Sequence, residues 1–445
     1  MSFEIKKSTQ FKINELVIVS KAGNIDISGI FDELSLYDSI FVPIRSGKIL
    51  IKDSIGLSGK LLFDGSEALL IDIVKSEDSD VASFKKAYRI YKQTNRKSDG
   101  LNSESYILHF CSDELMFSDQ QKVNQSYEGT YSKFVEKILL EYLKIPINTL
   151  TGIFEPTYGI RKIVIPNLKP LDAINWCAKR AVDQRQSPNF LFFENLAGFN
   201  FVSLSTLLSQ QEILDVKFEP KNQSKNNSIN EMSSARAFQV ISQNDSVKNI
   251  REGVNAAQFL GFDPLTGITA KKQISYGDVF NSMKHGNDTP NFSVLTNRGG
   301  VENQKAFDSK KVVNPFQSAQ QLSNYIKNKV PNDLAKLDNM EDYLIQRTSI
   351  LNNLMSKRVK IVMPGNFQLS SGFNVNVIAP SFAKKEIGED NEDVSLSGKY
   401  IITASRHIIG YDKHETILEV ATTTTNNPFI PSSNHQQTKE ILTYV

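Results

Sequence analysis

From residue 1 to 115, apolar and polar positions alternate with a period of two. The runs are Leu16 to Val19, Ile25 to Ile27, Ile40 to Val42, Lys48 to Ile51, Lys60 to Phe63, Ala68 to Ile73, Ala87 to Tyr91 and Ser105 to Phe110. Gly47, Gly56, Gly59, Gly65 and Gly100 punctuate them, as tight turns between short antiparallel strands require. Residues 1–115 are expected to form a small β-barrel or sandwich. At Thr130 the period changes. Tyr131, Phe134, Val135, Ile138, Leu139 and Tyr142 fall at helical spacing, and the helix must end before Pro146. A second helix follows Asn167, with Pro170 in its first turn and Ile174, Cys177, Ala178 and Ala181 on one face. Phe190 to Phe193 and Phe199 to Val202 read as a hairpin turned by Asn195 to Gly198, so residues 116–212 form an α/β domain.

The second half is less regular. Residues 213–252 read as the start of a second barrel, interrupted by a polar, Asn- and Ser-rich stretch over 221–246 that has the composition of a mobile loop. Residues 253–337 read as an irregular insertion, with one helix suggested by Asn314, Pro315, Phe316, Ala319, Leu322 and Ile326. A longer helix starts at Asp338, capped with Glu341, and places Leu344, Leu351 and Met355 on one face with Ile350 and Leu354 beside them. Two turn signals then separate three apolar alternations. Val359, Ile361 and Met363 precede Pro364 to Asn366; Phe367 and Leu369 precede Ser371 and Gly372; Phe373, Val375 and Val377 follow. This predicts a hairpin in which Gly365 and Gly372 supply the turns and Phe367 and Leu369, flanked by Asn366, anchor it in the second barrel. Beyond a charged loop at 384–393, strands from Tyr400 to Thr403 and from Thr416 to Val420 flank a turn at Gly410 to Lys413. Residues 338–425 therefore complete the second barrel. Residues 426–445 read as a C-terminal arm, with Pro428, Pro431 and an apolar end. The expected class is α+β, mainly β: two small antiparallel β-barrel domains bracketing an α/β unit and an irregular insertion.

Charge names no partner, because 51 basic and 49 acidic residues leave a net +2 on 445 residues. Cys111 and Cys177 lack metal or redox spacing and are expected buried and reduced. No run approaches the roughly 18 apolar residues of a membrane span, so folding in the cytoplasm without membrane insertion is expected. The stretch from Gly56 to Leu61 lacks the spacing and the hydroxyl of a phosphate loop. The histidines His109, His285, His407, His414 and His435 form no helical metal pair, and strand-borne histidine is usually structural. There is no Gly-x-Ser-x-Gly elbow. Glu104 and Asp113 could meet only as an unplaced carboxylate pair, and the acidic residues of 384–393 lack an ordered calcium-loop pattern. The phenylalanines of the 190–201 hairpin read as core before they read as a stacking platform. No catalytic residue, cofactor or metal ligand is assigned, and the pattern points toward assembly.

Three groups of residues carry a resemblance. One is Gly365-Asn-Phe-x-Leu-x-x-Gly372, with Tyr400, His407 and the strand from Ile417 to Thr424; another is Asn167-Leu-x-Pro-Leu-x-Ala-Ile-Asn175 with the aromatic hairpin. The third is Leu36-x-Asp-Ser39, Gly47-x-Ile-x-Ile-x-Asp-Ser54 and Phe63-Asp-Gly-Ser-Glu67. In this order they resemble the baseplate hub proteins of contractile-tailed, T-even-like bacteriophages, which are related in fold to the N-terminal part of type VI secretion spike proteins. The resemblance implies a non-enzymatic virion protein of the tail baseplate, assembled in the host cytoplasm. It implies a homotrimer of chains with two similar tube-like barrels, joining a sixfold tail tube to a threefold spike around a DNA channel. The implied partners are the tail spike protein, tail tube or tube-initiator proteins, baseplate wedge proteins, and genomic DNA passing without specific binding. A tail-tip cell-wall or polysaccharide-degrading enzyme and a carbohydrate-binding adhesion module are the alternatives.

Overall fold

The computed structural model describes residues 11–21, 23–61, 63–74, 84–100, 103–146, 151–218, 233–243, 245–262, 269–287, 289–290, 310–315, 340–379, 381 and 392–426. The chain is mainly β, as its alternation predicts. The first lobe holds β1 (Lys12–Ser20), β2 (Gly23–Asp26), β3 (Phe31–Ser39), β4 (Ser46–Asp53), the helical turn α1 (Leu57–Lys60), β5 (Ala68–Val74), β6 (Phe84–Ser98) and β7 (Glu104–Cys111). They pair in the order β3-β4-β7-β6-β5-β1-β2. Every second side chain points inward, so Ile18, Leu34, Ile49, Ile71, Ile90 and Leu108 share one core. Two of the expected strands are absent: Ile40 lies in the turn after β3, its amide donating to Thr403 O, and Lys60 closes α1.

The α/β unit contains α2 (Glu114–Asp119), β8 (Ser126–Gly129), α3 (Tyr131–Glu141), β9 (Arg161–Val164), α4 (Pro170–Arg180), β10 (Phe190–Asn195), β11 (Gly198–Ser203) and α5 (Leu204–Ser209). Thr130 caps α3 by accepting from the Lys133 amide, and Pro170 opens α4 where no amide is needed. The β10–β11 hairpin is buried on both faces. Phe190 and Phe192 join the core of α3 and α4, while Leu191 and Phe193 enter a separate core with α5. Both cysteines are buried thiols.

The second lobe begins with β12 (Glu212–Phe218), β13 (Ser234–Ala235) and β14 (Ala237–Ser242). Residues 234–235 and 237–242 are therefore strand, not polar loop: β13 runs parallel to β12, and β14 runs antiparallel to the later strand at residues 358–364. The insertion holds α6 (Ser246–Arg251), β15 (Ala256–Phe262), β16 (Thr269–Ser275), α7 (Tyr276–Asn281), β17 (Thr289–Pro290) and β18 (Lys310–Pro315). The irregular reading is corrected here, because β16-β15-β18 form a sheet whose Ala257, Phe259 and Ile274 pack on the next helix. That helix, α8 (Met340–Leu354), buries Ile345, Ile350 and Leu354, a stripe rotated from the expected Leu344, Leu351 and Met355. The chain continues through β19 (Arg358–Pro364), β20 (Asn374–Ile378), β21 (Gly398–Ile409), β22 (His414–Ala421) and β23 (Thr424–Thr425). The expected loop residues 219–232, the cap Asp338, most of the helix expected from Asn314 and of the charged loop, and the arm over 427–445 lie outside the described residues.

Two separate closed barrels do not form among the described strands; one branched 14-stranded sheet joins the lobes. The reason is β21. On one edge it pairs along its length with β22, while its other edge is shared end to end by β20 (from Gly398 to Ile401) and β3 (from Ala404 to Ile409). A bulge at Thr403 separates the two partners.

Two expected outcomes follow from this packing. A Cβ on Gly47 would lie 2.3 Å from Phe110 Cζ and 2.6 Å from Ser35 O, so Gly47→Ala should cost on the order of 1–3 kcal/mol. Its urea midpoint should fall with an unchanged slope. Lys357, between α8 and β19, is buried with Nζ donating to Ser395 O at 2.5 Å, and burial lowers its pKa to about 8. The folded value lies below the unfolded one, so this group's contribution rises as pH climbs from about 8 to about 10.5. Lys357→Met should remove that dependence and be the more stable form at pH 7, by about 2–3 kcal/mol in chemical denaturation.

Candidate functional site

Residues 365–373 connect β19 to β20 and contain all of the residues assigned to the second lobe: Gly365, Asn366, Phe367, Leu369 and Gly372. They do not form the expected hairpin. β19 pairs with β14 and β22, and β20 pairs with β12 and β21, so the flanking strands never meet and the loop is a crossover. Its side chains explain the path. Phe367 leaves its own lobe and stacks on Phe84 at 6.0 Å inside the first core, whereas Leu369 stays in the second core with Val375, Tyr400 and Leu418. One short loop thus stitches two hydrophobic cores together.

Glycine is required at both ends, for different reasons. Gly365 donates its amide to His414 O at 2.8 Å and passes so close to that ring that a Cβ would sit 1.9 Å from Cγ. Gly372 has φ +88° and would place a Cβ 2.7 Å from the Phe193 ring of the α/β unit. Between them, the Asn366 amide donates to Thr416 Oγ1, and its side-chain oxygen accepts from the Gln368 amide, an Asx turn. His407 and His414 are fully buried around Phe367, with ring centroids 5.3 and 4.5 Å away. They pack, and Ser405 and Thr416 hydroxyls lie within hydrogen-bonding distance of His407.

Beside this loop lies a buried polar junction that sequence reasoning missed. The Asp38 carboxylate, on β3, accepts from Ser370 Oγ at 2.8 Å, the Ser371 amide at 2.9 Å and Ser405 Oγ at 2.8 Å. Arg45 is 1% exposed, with Nε 4.0 Å from Asp38 and its guanidinium 4.8 Å above the Phe84 ring. Glu194, the last acidic residue of the aromatic hairpin, accepts from the Arg45 amide and Ser112 Oγ and pairs with Lys86. Asn195 Nδ2 donates to Ser371 O, and the Leu196 amide to Ser370 Oγ. First lobe, α/β unit and second lobe meet at these groups. The available signals were single charges inside apolar runs, Asp38 after Leu36 and Glu194 after Phe193.

The geometry holds segments together, and the hydroxyls within reach of His407 are buried with it. Glu104 and Asp113 stand at opposite ends of β7, paired with Arg96 and Arg89, so the carboxylate-pair reading is set aside. Burial raises the Cys111 pKa to about 11, which keeps it a thiol. Among the described residues no three His, Cys, Asp or Glu side chains gather as a metal set.

Phe367→Ala should cost about 3–5 kcal/mol if its ring joins the two cores as described, and Asp38→Ala a similar amount by leaving buried donors without their acceptor and Arg45 without its counter-charge. Thermal melting of both variants checks this, and an unchanged midpoint for Phe367→Ala would contradict the stitch.

Comparison with known proteins gives a consistent setting. A probable baseplate hub protein, gp334, of Vibrio phage KVP40 is 22% identical over 422 residues, covering 90% of this chain and 91% of that protein. The tail protein of Neisseria meningitidis MC58 superposes with a TM-score of 0.51 at 11% identity, covering 92% of this chain and 96% of the other. A 43 kDa tail protein of prophage MuSo2 from Shewanella oneidensis superposes at 0.49 with 9% identity, covering 92% and 98%. No protein-family model matches the chain. The chain is therefore similar along nine tenths of its length to a probable phage baseplate hub protein, and its fold resembles that of the Neisseria tail protein.

Proposed function

We propose that this chain is a structural baseplate hub, acting as a homotrimer that joins a sixfold tail tube to a threefold spike. The similarity to a probable baseplate hub protein over 90% of the chain carries the reading. The fold supports it physically. Each chain has two β lobes whose relative orientation is fixed by shared strand pairing at β3 and β21 and by the loop carrying Phe367. Three such chains around one axis present six lobes, so the same object can match sixfold and threefold neighbours. The role is mechanical, not catalytic. The tail spike protein, tail tube or tube-initiator proteins and baseplate wedge proteins are the proposed contacts, in the virion, with genomic DNA passing along the axis.

Ring closure requires a heterologous interface of at least a few thousand Å2, the size class of obligate assemblies. Light scattering at micromolar concentration should give the mass of three chains, and electron microscopy should show a ring with threefold symmetry, six similar lobes and an axial opening. A compact particle with no opening would overturn the hub reading.

A further inference from the structure

The sheet that unites the lobes has one face filled by hydrophobic cores and another whose charges are largely spent on each other. Arg406 pairs with Glu33, Arg358 with Glu419, Arg236 with Glu415, and Arg96 with Glu104. One row departs from this rule. On three adjacent strands Lys48 of β4, His109 of β7 and Lys92 of β6 stand directly opposite one another. All three point away from the core, between inward-facing Ile49, Leu108 and Ile90. No carboxylate among the described residues pairs with either lysine, which leaves two ammonium groups on either side of one imidazole. Like charges grouped on a sheet face are unfavourable unless an anion sits among them. Strand spacing separates the two lysine backbones by about 10 Å, a span their side chains can close over one phosphate.

A second observation points to the same place. The β6–β7 register slips between Ile90 and Lys92, so a bulge turns Tyr91 outward beside Lys92. Tyr91 is 47% exposed, with its ring 6.2 Å from that of His109. Thr94 Oγ1 lies 2.8 Å from His109 Nε2 and steadies the imidazole. Two cations, an imidazole and an exposed tyrosine on one open face match a sugar-phosphate backbone better than a free anion, since the Tyr91 hydroxyl can donate to a phosphate oxygen beside the one the lysines hold.

We propose that Lys48, His109 and Lys92, with Tyr91, form a sequence-independent contact for the phosphate backbone of DNA. This rests on the hub reading and names the face that the passing duplex meets. A few such contacts hold DNA weakly and release it readily with salt, which permits sliding. The groups facing His109 are Lys48 on β4, Tyr91, Lys92 and Thr94 on β6, and, beyond Lys48, Ser35 with the Glu33–Arg406 pair on β3. Burial and the two lysines keep the imidazole pKa below its ordinary value. A phosphate among them must raise it.

The test uses the full chain and a 20-base-pair duplex in fluorescence anisotropy across a salt series. Wild type should bind in low salt. Lys48→Gln with Lys92→Gln should weaken binding at least tenfold and flatten the salt slope by about 0.9, the share of the one phosphate the two lysines hold. Tyr91→Ala should weaken it several-fold, and the His109 pKa read by NMR should rise when duplex is added. Equal affinity and slope in the double variant would overturn the proposal. So would binding of inorganic phosphate without binding of duplex. Light scattering on the same samples separates the two readings. A monomer that still binds duplex through these lysines removes the hub alone; a trimeric ring indifferent to them removes only this contact.

Discussion

The structure depends on the need of one buried carboxylate for donors. Burying the Asp38 side chain is costly unless its oxygens are satisfied, and the groups that satisfy it come from residues 370, 371 and 405, more than three hundred positions away. Arg45 supplies opposite charge and lies on Phe84, the ring that also receives Phe367. The polar junction and the aromatic stack therefore demand the same placement of the crossover loop. Neither could form with the lobes apart, so folding of either half is coupled to docking of the other.

This coupling explains why the lobes share a sheet. A linker between two independent barrels would leave a hinge, and the strands facing it would be unpaired edges. Here β3 completes the edge that β20 leaves vacant along β21, and Glu194 and Asn195 tie the α/β unit to the same corner. Load applied to one lobe passes through backbone pairing and buried ion pairs to the other. That is a suitable property for the proposed hub.

Much of this was legible in the order of residues. Period-two alternation located β1, β4, β5, β6, β7 and β22, and the change of period at Thr130 located α3 and then α4, because each depends on neighbours within a few positions. The aromatic hairpin was equally local, whereas Gly47, read as a turn, lies inside β4 between Leu36 and Phe110.

What Phe367 does was decided only by tertiary structure. Its alternation with Leu369 reads as a strand, yet the two side chains enter different cores, and pairing partners of β19 and β20 are chosen by strands over a hundred residues away. The stripe on α8 and the strands of the insertion likewise took their orientation from surfaces supplied by other segments. Local pattern determined that these residues would be strand, turn or core, because propensity and burial are properties of short windows. Which core, which edge and which partner were set by long-range satisfaction of buried charge and backbone, which no short window contains.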